Sequence, residues 1–277
     1  MTKEDILNEL KDSRKYTLHC HTQFCDGRSS MEEMTAKAIA LGFTHIGFTP
    51  HSPIPIESPC NMKKADVNNF LKEINSLRKT TGGKNITILA GMEVDYISRK
   101  WNASSSYFQE IPLDYKISSI HFIPNQKGLL VDIDGNIDTF RKNMSVYFNN
   151  DIDYVVKKYI EKTHDMLEAG GFQIIGHFDK VSLNASLFSE NIENLKIFND
   201  GINEIIEHIA LKGVIVEINT KAYSRHNRFF PHSRWWNELK TRSIPIIVNS
   251  DAHEANLLDA SRDTAFDCLL KITDEDL

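Results

Sequence analysis

The pattern His19-Cys20-His21, followed by Asp26-Gly27, is the part of this sequence best suited to chemistry. Residues i and i+2 of a strand point to the same face, so the two imidazoles aim the same way. Paired imidazoles are ready metal ligands. Asp26 sits on a glycine-containing turn from which its carboxylate can return to the same place. Further on, His51, Glu93, His121, His177, Asp251 and His253 each fall at or just after the end of a short apolar run. That makes nine candidate ligands, too many for one ion of the zinc type, which takes three or four protein ligands. Nine ligands with one bridging carboxylate suit two or three divalent ions. A set of imidazoles and carboxylates without thiolate favours Zn, Fe or Mn over Cu(I).

Strands and helices must alternate to bring these residues together. The spacing predicts a short amphipathic helix over 3–12, then strands over 16–21, 43–49, 85–94, 115–122, 172–177, 214–219 and 244–249. Helical periodicity covers 64–79, 139–148, 153–169, 190–212 and 233–242, with a last helix to about 271. The stretch Ser29-Ser-Met-Glu-Glu33 has the form of a capping box, opening a helix to Leu41 with Gly42 as its stop. Four prolines, Pro50 to Pro59, make the loop after the second strand irregular. Residues 128–137 read as an inserted hairpin or extended loop turning at Asp134-Gly135, within an insertion at about 123–150.

Seven strand–helix units without a linker imply parallel strands in one domain spanning 1–277. The strands are continuous apolar runs, as strands buried on both faces should be. With no glycine-rich phosphate fingerprint, the α/β pattern favours a closed or nearly closed barrel over an open doubly wound sheet. In a barrel the C-terminal strand ends share one rim, where active sites sit. Six of the eleven histidines fall there. Any one of them would pass as a hydrogen-bonded structural residue; the placement of six is what points to a site. His164 and His208 read as surface residues of helices, His45 as structural, and His226 and His232 as loop residues.

Composition narrows the function. The chain has 277 residues, 41% hydrophobic and 25% charged, which is globular. A net charge of -6 with no basic stripe argues against nucleic acid. The charged N-terminus does not resemble a signal peptide, and no stretch has the length of a membrane span. The four cysteines form no CxxC pair and fit reduced thiols in the cytoplasm. Cys20 reads as a core thiol. Cys25 reads as a small filler close enough to the site to support a ligand.

HxH with a following DG, a strand-end histidine, GMEVD, another strand-end histidine, GHFD and SDAH, in this order, resemble the PHP (polymerase and histidinol phosphatase) family. The segments GMEVDY, SSIHF, GHFDK and EINT, with the insertion after the fourth strand, resemble its monofunctional histidinol-phosphate phosphatases. The resemblance implies a distorted (βα)7 barrel carrying a trinuclear site. It implies a first ion on His19, His21, Glu93 and Asp251, and a second on Glu93, His121 and His177. A third would take Asp26, His51 and His253. It also implies hydrolysis of L-histidinol phosphate in histidine biosynthesis.

In such a site a hydroxide held between two ions would attack the phosphorus in line, and the expelled alkoxide would need a proton. Asp251 or His253 could relay it. Arg225, then Arg228, on the loop after the sixth strand, are candidate phosphate clamps, with Lys180 a third. Glu217 and Asn219 share a strand face and would orient ligands, meet the substrate amine or form a buried pair. Trp101, Tyr107 and Phe108 would wall a pocket or pack as aromatic core. Two other readings stand beside the first: a PHP phosphoesterase acting on a phosphotyrosine protein or another small phosphomonoester, and a metal-stabilised binding domain without turnover. The sequence leaves the oligomeric state open.

Overall fold

The structure, a computed structural model, describes residues 1–11 and 13–272. Asp12, the expected end of the first helix, and residues 273–277, the expected end of the domain, lie outside the described residues. The strands are β1 (Tyr16–Thr17), β2 (His45–Phe48), β3 (Thr87–Ala90), β4 (Glu93–Asp95), β5 (Ile117–Ser119), β6 (Phe122–Pro124), β7 (Leu130–Asp132), β8 (Ile174–Ile175), β9 (Ile215–Asn219) and β10 (Ile246–Asn249). The helices are α1 (Lys3–Leu10), α2 (Met31–Ala40), α3 (Val67–Thr80), α4 (Ser106–Glu110), α5 (Ile137–Tyr147), α6 (Ile152–Ala169), α7 (Val181–Phe188), α8 (Lys196–Lys212), α9 (Tyr223–His226), α10 (Trp236–Thr241) and α11 (Arg262–Leu270).

Two parallel sheets carry the fold, one in the order β1-β2-β3 and the other β10-β9-β8-β5-β4. Single parallel bridges join them at both sides, His51 to Glu93 and Cys20 to Ala252. At the second seam Leu18 donates its N–H to Asn249 Oδ1 at 2.8 Å, and His21 donates to the Ala252 carbonyl at 2.8 Å. Among the described residues no helix is long and apolar enough to cross a membrane.

Alternation along the strands separates two apolar clusters. Ile215, Ile247, Ile117, Leu89 and Ile174 meet Tyr16, Leu18 and Tyr115 in an inner cluster, covered by Ile6 and Leu10 of α1. Their neighbours Val216, Ile218, Val248 and Ala90 belong to the larger cluster that includes buried residues of the flanking helices. Tyr115 donates to the Leu18 carbonyl at 2.5 Å. Its ring fits because Gly47 has no side chain: a Cβ there would lie 2.0 Å from the hydroxyl. Continuing the inward face of β9 gives Ile215, Glu217 and Asn219, so apolar packing changes to polar chemistry toward the C-terminal end.

The expected third strand, 85–94, is two. β3 pairs with β2, and β4 pairs with β5. The change of partner occurs at Gly91-Met92, where a Cβ on Gly91 would lie 2.6 Å from both Tyr115 Cζ and Thr49 Cγ2. The insertion's hairpin is β6–β7, antiparallel, and it turns at Asn125 rather than Asp134-Gly135. The Asn125 side chain accepts the N–H groups of Lys127 and Leu129, which closes that turn. Asp134-Gly135 instead leads into α5, whose N-cap is Asn136. Helices α4, α7 and α9 were not expected. The helix expected over 190–212 starts at Lys196, after a short 3-10 turn. The capping box of α2 is present, with Ser30 and Glu33 each bonded to the other's backbone.

Candidate metal centre

His19 and His21 follow β1 with Cys20 between them. The Cys20 thiol turns away to the Gly47 carbonyl at 3.2 Å, and the two imidazoles converge with their Nε2 atoms 3.2 Å apart. His51 follows β2, Glu93 opens β4, His121 lies between β5 and β6, and His177 follows β8. Asp251 and His253 follow β10. Asp251 and His177 have positive φ, 50° and 26°. That region is disfavoured for residues with a Cβ, and such conformations gather at functional sites.

Glu93 is the centre of the group. Its Oε2 lies 2.9 Å from His51 Nδ1, 3.3 Å from His19 Nε2 and 3.5 Å from His21 Nε2. Its Oε1 lies 2.9 Å from His177 Nε2 and 3.5 Å from His121 Nε2. Asp251 Oδ1 faces His21 Nε2 at 3.1 Å. Asp26 Oδ1 faces His253 Nε2 at 3.3 Å and His51 Nε2 at 3.8 Å. Burial opposes the charge on Glu93, yet His19, His121 and His51 hold its carboxyl well below the ordinary range. Burial likewise opposes the charge on Asp251, which Lys221 and His19 outweigh.

All nine expected ligands therefore meet. Their atoms form four convergent groups: His21, Asp26, His51 and His253; His19, Glu93 and His177; His19, His21 and Asp251; and His51, Glu93 and His121. Ligand atoms sharing a tetrahedral ion at bond lengths of about 2.0–2.1 Å stand roughly 3.4 Å apart. The separations here, from 2.9 to 3.8 Å, bracket that spacing. Asp26 Oδ1, Glu93 Oε2 and His121 Nε2 are buried atoms without a hydrogen-bond partner. Leaving such atoms bare is costly. Cations would satisfy them, so the donor set fits divalent metal ions.

A surrounding layer fixes the ligands. Glu217 Oε1 holds His19 Nδ1 at 2.7 Å, and its Oε2 accepts the His177 N–H at 3.3 Å. Asn219 donates to Asp251 Oδ2 at 3.0 Å. Asp95 Oδ1 holds His121 Nδ1 at 2.7 Å. Cys25 Sγ lies 3.4 Å from His21 Nδ1. Such partners orient a ligand ring and set which nitrogen is free for the metal. Sequence reading missed Asp95, although it is two residues beyond Glu93 on the same strand face. It also missed Lys221, whose Nζ is 3.4 Å from Asp251 Oδ1 and 3.2 Å from His253 Nε2. Position within a loop carries no periodicity to reveal it.

The expected phosphate clamps divide. Lys180 Nζ stands 2.9 Å from Asp134 Oδ2 and 4.0 Å from Asp251 Oδ2. It lines a cavity of about 350 Å³ with Lys221 and Arg225. Arg228 is placed otherwise than expected: its guanidinium is buried and paired with Glu193 and Ser182. Trp101, Tyr107 and Phe108 pack on one another, and Trp101 donates to the Pro53 carbonyl at 3.0 Å. His164 and His208 are not free surface residues but a half-buried pair across α6 and α8.

The chain is 27% identical over 258 residues to the histidinol-phosphatase of Bacillus subtilis, covering 86% of this chain and 92% of that protein. Its fold is similar to the crystal structure of a Listeria monocytogenes protein assigned as a histidinol phosphatase. The TM-score is 0.79 at 20% identity, covering 90% of this chain and 99% of that one. It is also similar to the histidinol phosphate phosphatase of Lactococcus lactis, solved with zinc, L-histidinol and phosphate, with TM-score 0.71, 21% identity and 94% of each chain covered. The model of the PHP domain matches residues 17–221. The chain belongs to the PHP domain family.

Proposed function

We propose that this chain is a metal-dependent phosphatase that hydrolyses L-histidinol phosphate to L-histidinol and phosphate, a step of histidine biosynthesis. It is a phosphoric monoester hydrolase. One observation carries this reading: nine imidazole and carboxylate side chains, with Glu93 at their centre, converge beside a cationic cavity. Kinship with a histidinol-phosphatase supports the substrate. The two sheets and the bridges between them support a distorted (βα)7 barrel forming one domain over 1–277. Four free cysteines fit a cytoplasmic enzyme.

The nine ligands would hold two or three divalent ions (Zn, Fe or Mn), distributed as the resemblance implies, with Glu93 shared. Bound there, such ions activate water and neutralise the charge of a phosphoryl group. The chain's own groups do the rest. Lys221, Lys180 and Arg225 bind phosphate oxygens from the side where β8 and β9 end. Glu217 and Asp95 keep His19 and His121 oriented with Nδ1 occupied and Nε2 inward. The leaving oxygen needs a proton, and since a His253 Nε2 that ligates an ion has none to give, the Lys221 ammonium beside it, 3.2 Å from His253 Nε2 and 3.4 Å from Asp251 Oδ1, supplies it.

Phosphate release should be measured for L-histidinol phosphate beside phosphotyrosine and other phosphomonoesters, on protein loaded in turn with Zn, Mn and Fe. The reading expects a strong preference for L-histidinol phosphate, abolished by chelation. Equal, poor rates on every ester would sink it.

A further inference from the structure

The loop after β2 leaves from His51 and returns to it, for the Met62 N–H donates to the His51 carbonyl at 3.0 Å. Prolines at positions 50, 53, 55 and 59 narrow its backbone freedom, so few side-chain ties suffice to place it. Near its start, Trp101 Nε1 donates to the Pro53 carbonyl at 3.0 Å. Near its end, the Asn61 amide donates twice, to the Ser52 carbonyl and to Asp95 Oδ2, each at 2.8 Å. A carbonyl and a carboxylate only accept, so the nitrogen of Asn61 must face both. Asp95 is 1% exposed, and its other oxygen holds His121 Nδ1 at 2.7 Å. Its N–H is accepted by Ser52 Oγ at 3.2 Å. The loop therefore grips Asp95 by side chain and main chain together. Without the Asn61 donor, Asp95 Oδ2 would be buried and bare, a cost the carboxylate recovers by turning. Turning it withdraws Oδ1 from His121.

We propose that Asn61 is a positioning residue that couples the seating of the 52–61 loop to the orientation of His121, through Asp95. The inference rests on the metal-dependent reading and deepens it. With the loop seated, both Asp95 oxygens are committed, and the His121 ring is held with Nε2 toward Glu93 Oε1 at 3.5 Å. With the loop displaced, Asp95 keeps His121 as its one side-chain partner and nothing fixes its angle. The coupling runs both ways, so whatever holds His121 in place also favours the seated loop. The same loop presents Ser58, Cys60 and Asn61 to the cavity of about 210 Å³ beside the ligands. It thus does more than wall that cavity. Trp101 is the natural contrast, because its indole ties the loop without touching Asp95.

The test compares wild type with Asn61→Asp, Asn61→Ala and Trp101→Phe. Asn61→Asp keeps the shape and puts an acceptor where Asp95 needs a donor. Trp101→Phe removes the other tie alone. Zinc affinity is read by chelator competition, ligand geometry by the visible spectrum of the cobalt-loaded protein, and loop order by hydrogen exchange of residues 53–61 with and without zinc. Both Asn61 variants are expected to lose about tenfold in affinity for one zinc equivalent, the low end of the range for a partner that orients a ligand, and to shift the cobalt bands. Zinc should slow exchange in the wild-type loop and do so far less in the Asn61 variants. Trp101→Phe should exchange faster in the loop yet keep its zinc affinity and cobalt spectrum. Full zinc affinity and unshifted bands in Asn61→Asp would make Asn61 a tie of the loop alone and overturn the coupling. Equal metal loss in Trp101→Phe and Asn61→Ala would trace the effect to a loosened loop in general and overturn it as well. No phosphate released from any ester by a wild type that binds zinc overturns the phosphatase reading, while the zinc, cobalt and exchange measurements still decide the coupling.

Discussion

At the strand ends, imidazole nitrogens from His19, His21, His51, His121 and His177 all turn toward one carboxylate, Glu93. On the outer helices, His164 and His208 turn toward each other, Nδ1 to Nδ1 at 2.9 Å with rings stacked 5.2 Å apart. Glu168 holds His208 Nε2 at 2.7 Å and is itself held by Lys212 at 2.8 Å. The outer network is closed: its carboxylate has a cation and its rings have each other. The inner one leaves buried atoms of Glu93, Asp26 and His121 bare. Histidine and glutamate occur in both places. The difference lies in whether the polar atoms satisfy one another or are held apart around a space.

Removing a ligand should separate the two regions most sharply. His177→Ala is expected to lose bound metal and phosphatase activity together. The loss should exceed the roughly 10–100-fold typical of losing a partner that only orients a ligand. His208→Ala should keep both, and metal loss in His208→Ala measured by elemental analysis would erase the distinction. Next in size is Glu217→Gln, which weakens the hold on His19 and should cost about 10–100-fold in zinc affinity or kcat/KM. An unchanged affinity in a chelator competition would make Glu217 a packing residue.

The arginines test the boundary of the site. Arg228→Ala breaks a buried ion pair and is expected to cost about 3 kcal/mol of stability in denaturant titration with KM unchanged. Arg225→Ala should raise KM about tenfold with little change in stability. The reverse pattern would exchange their roles.

The smallest effect is on pH. Burial, then His208, disfavours the charged form of His164, so its pKa in the folded chain lies below the unfolded value. Between those two values the unfolded chain binds more protons, and stability falls as pH drops through about 6.5. The His164→Gln variant should lose slightly less melting temperature than wild type between about pH 8 and pH 5.5. Parallel curves would show that the pair does not sense protons.

Much of the site was legible because each candidate ligand except Asp26 stands at or just after the end of an apolar run, and strand parity does the rest. His19 and His21 share a face across Cys20 by that rule alone. Glu93 was legible although its strand was misjudged, since the run ITILAGMEV keeps one parity across the change of partner at Gly91. The hairpin turn was misplaced because Asp134-Gly135 has stronger turn chemistry than Asn125, and only the cross-strand pairing of Phe122 with Asp132 decides between them. Arg225 and Arg228 are equally basic and three residues apart. What separates them is Glu193, thirty-five residues from Arg228 in sequence, which no local pattern announces.

The seam between Cys20 and Ala252 joins strands more than two hundred residues apart in sequence. His19 and His21 stand on one side of it, Asp251 and His253 on the other. Ions held by both sides would act as a clasp across the last junction to form. Ligand binding and the completion of the fold would then be one equilibrium, with metal supply adding to stability by mass action. Pairings this distant in sequence are slow to form, so the clasp would matter most to a newly made chain, whose first and last strands must find each other before anything else can hold them.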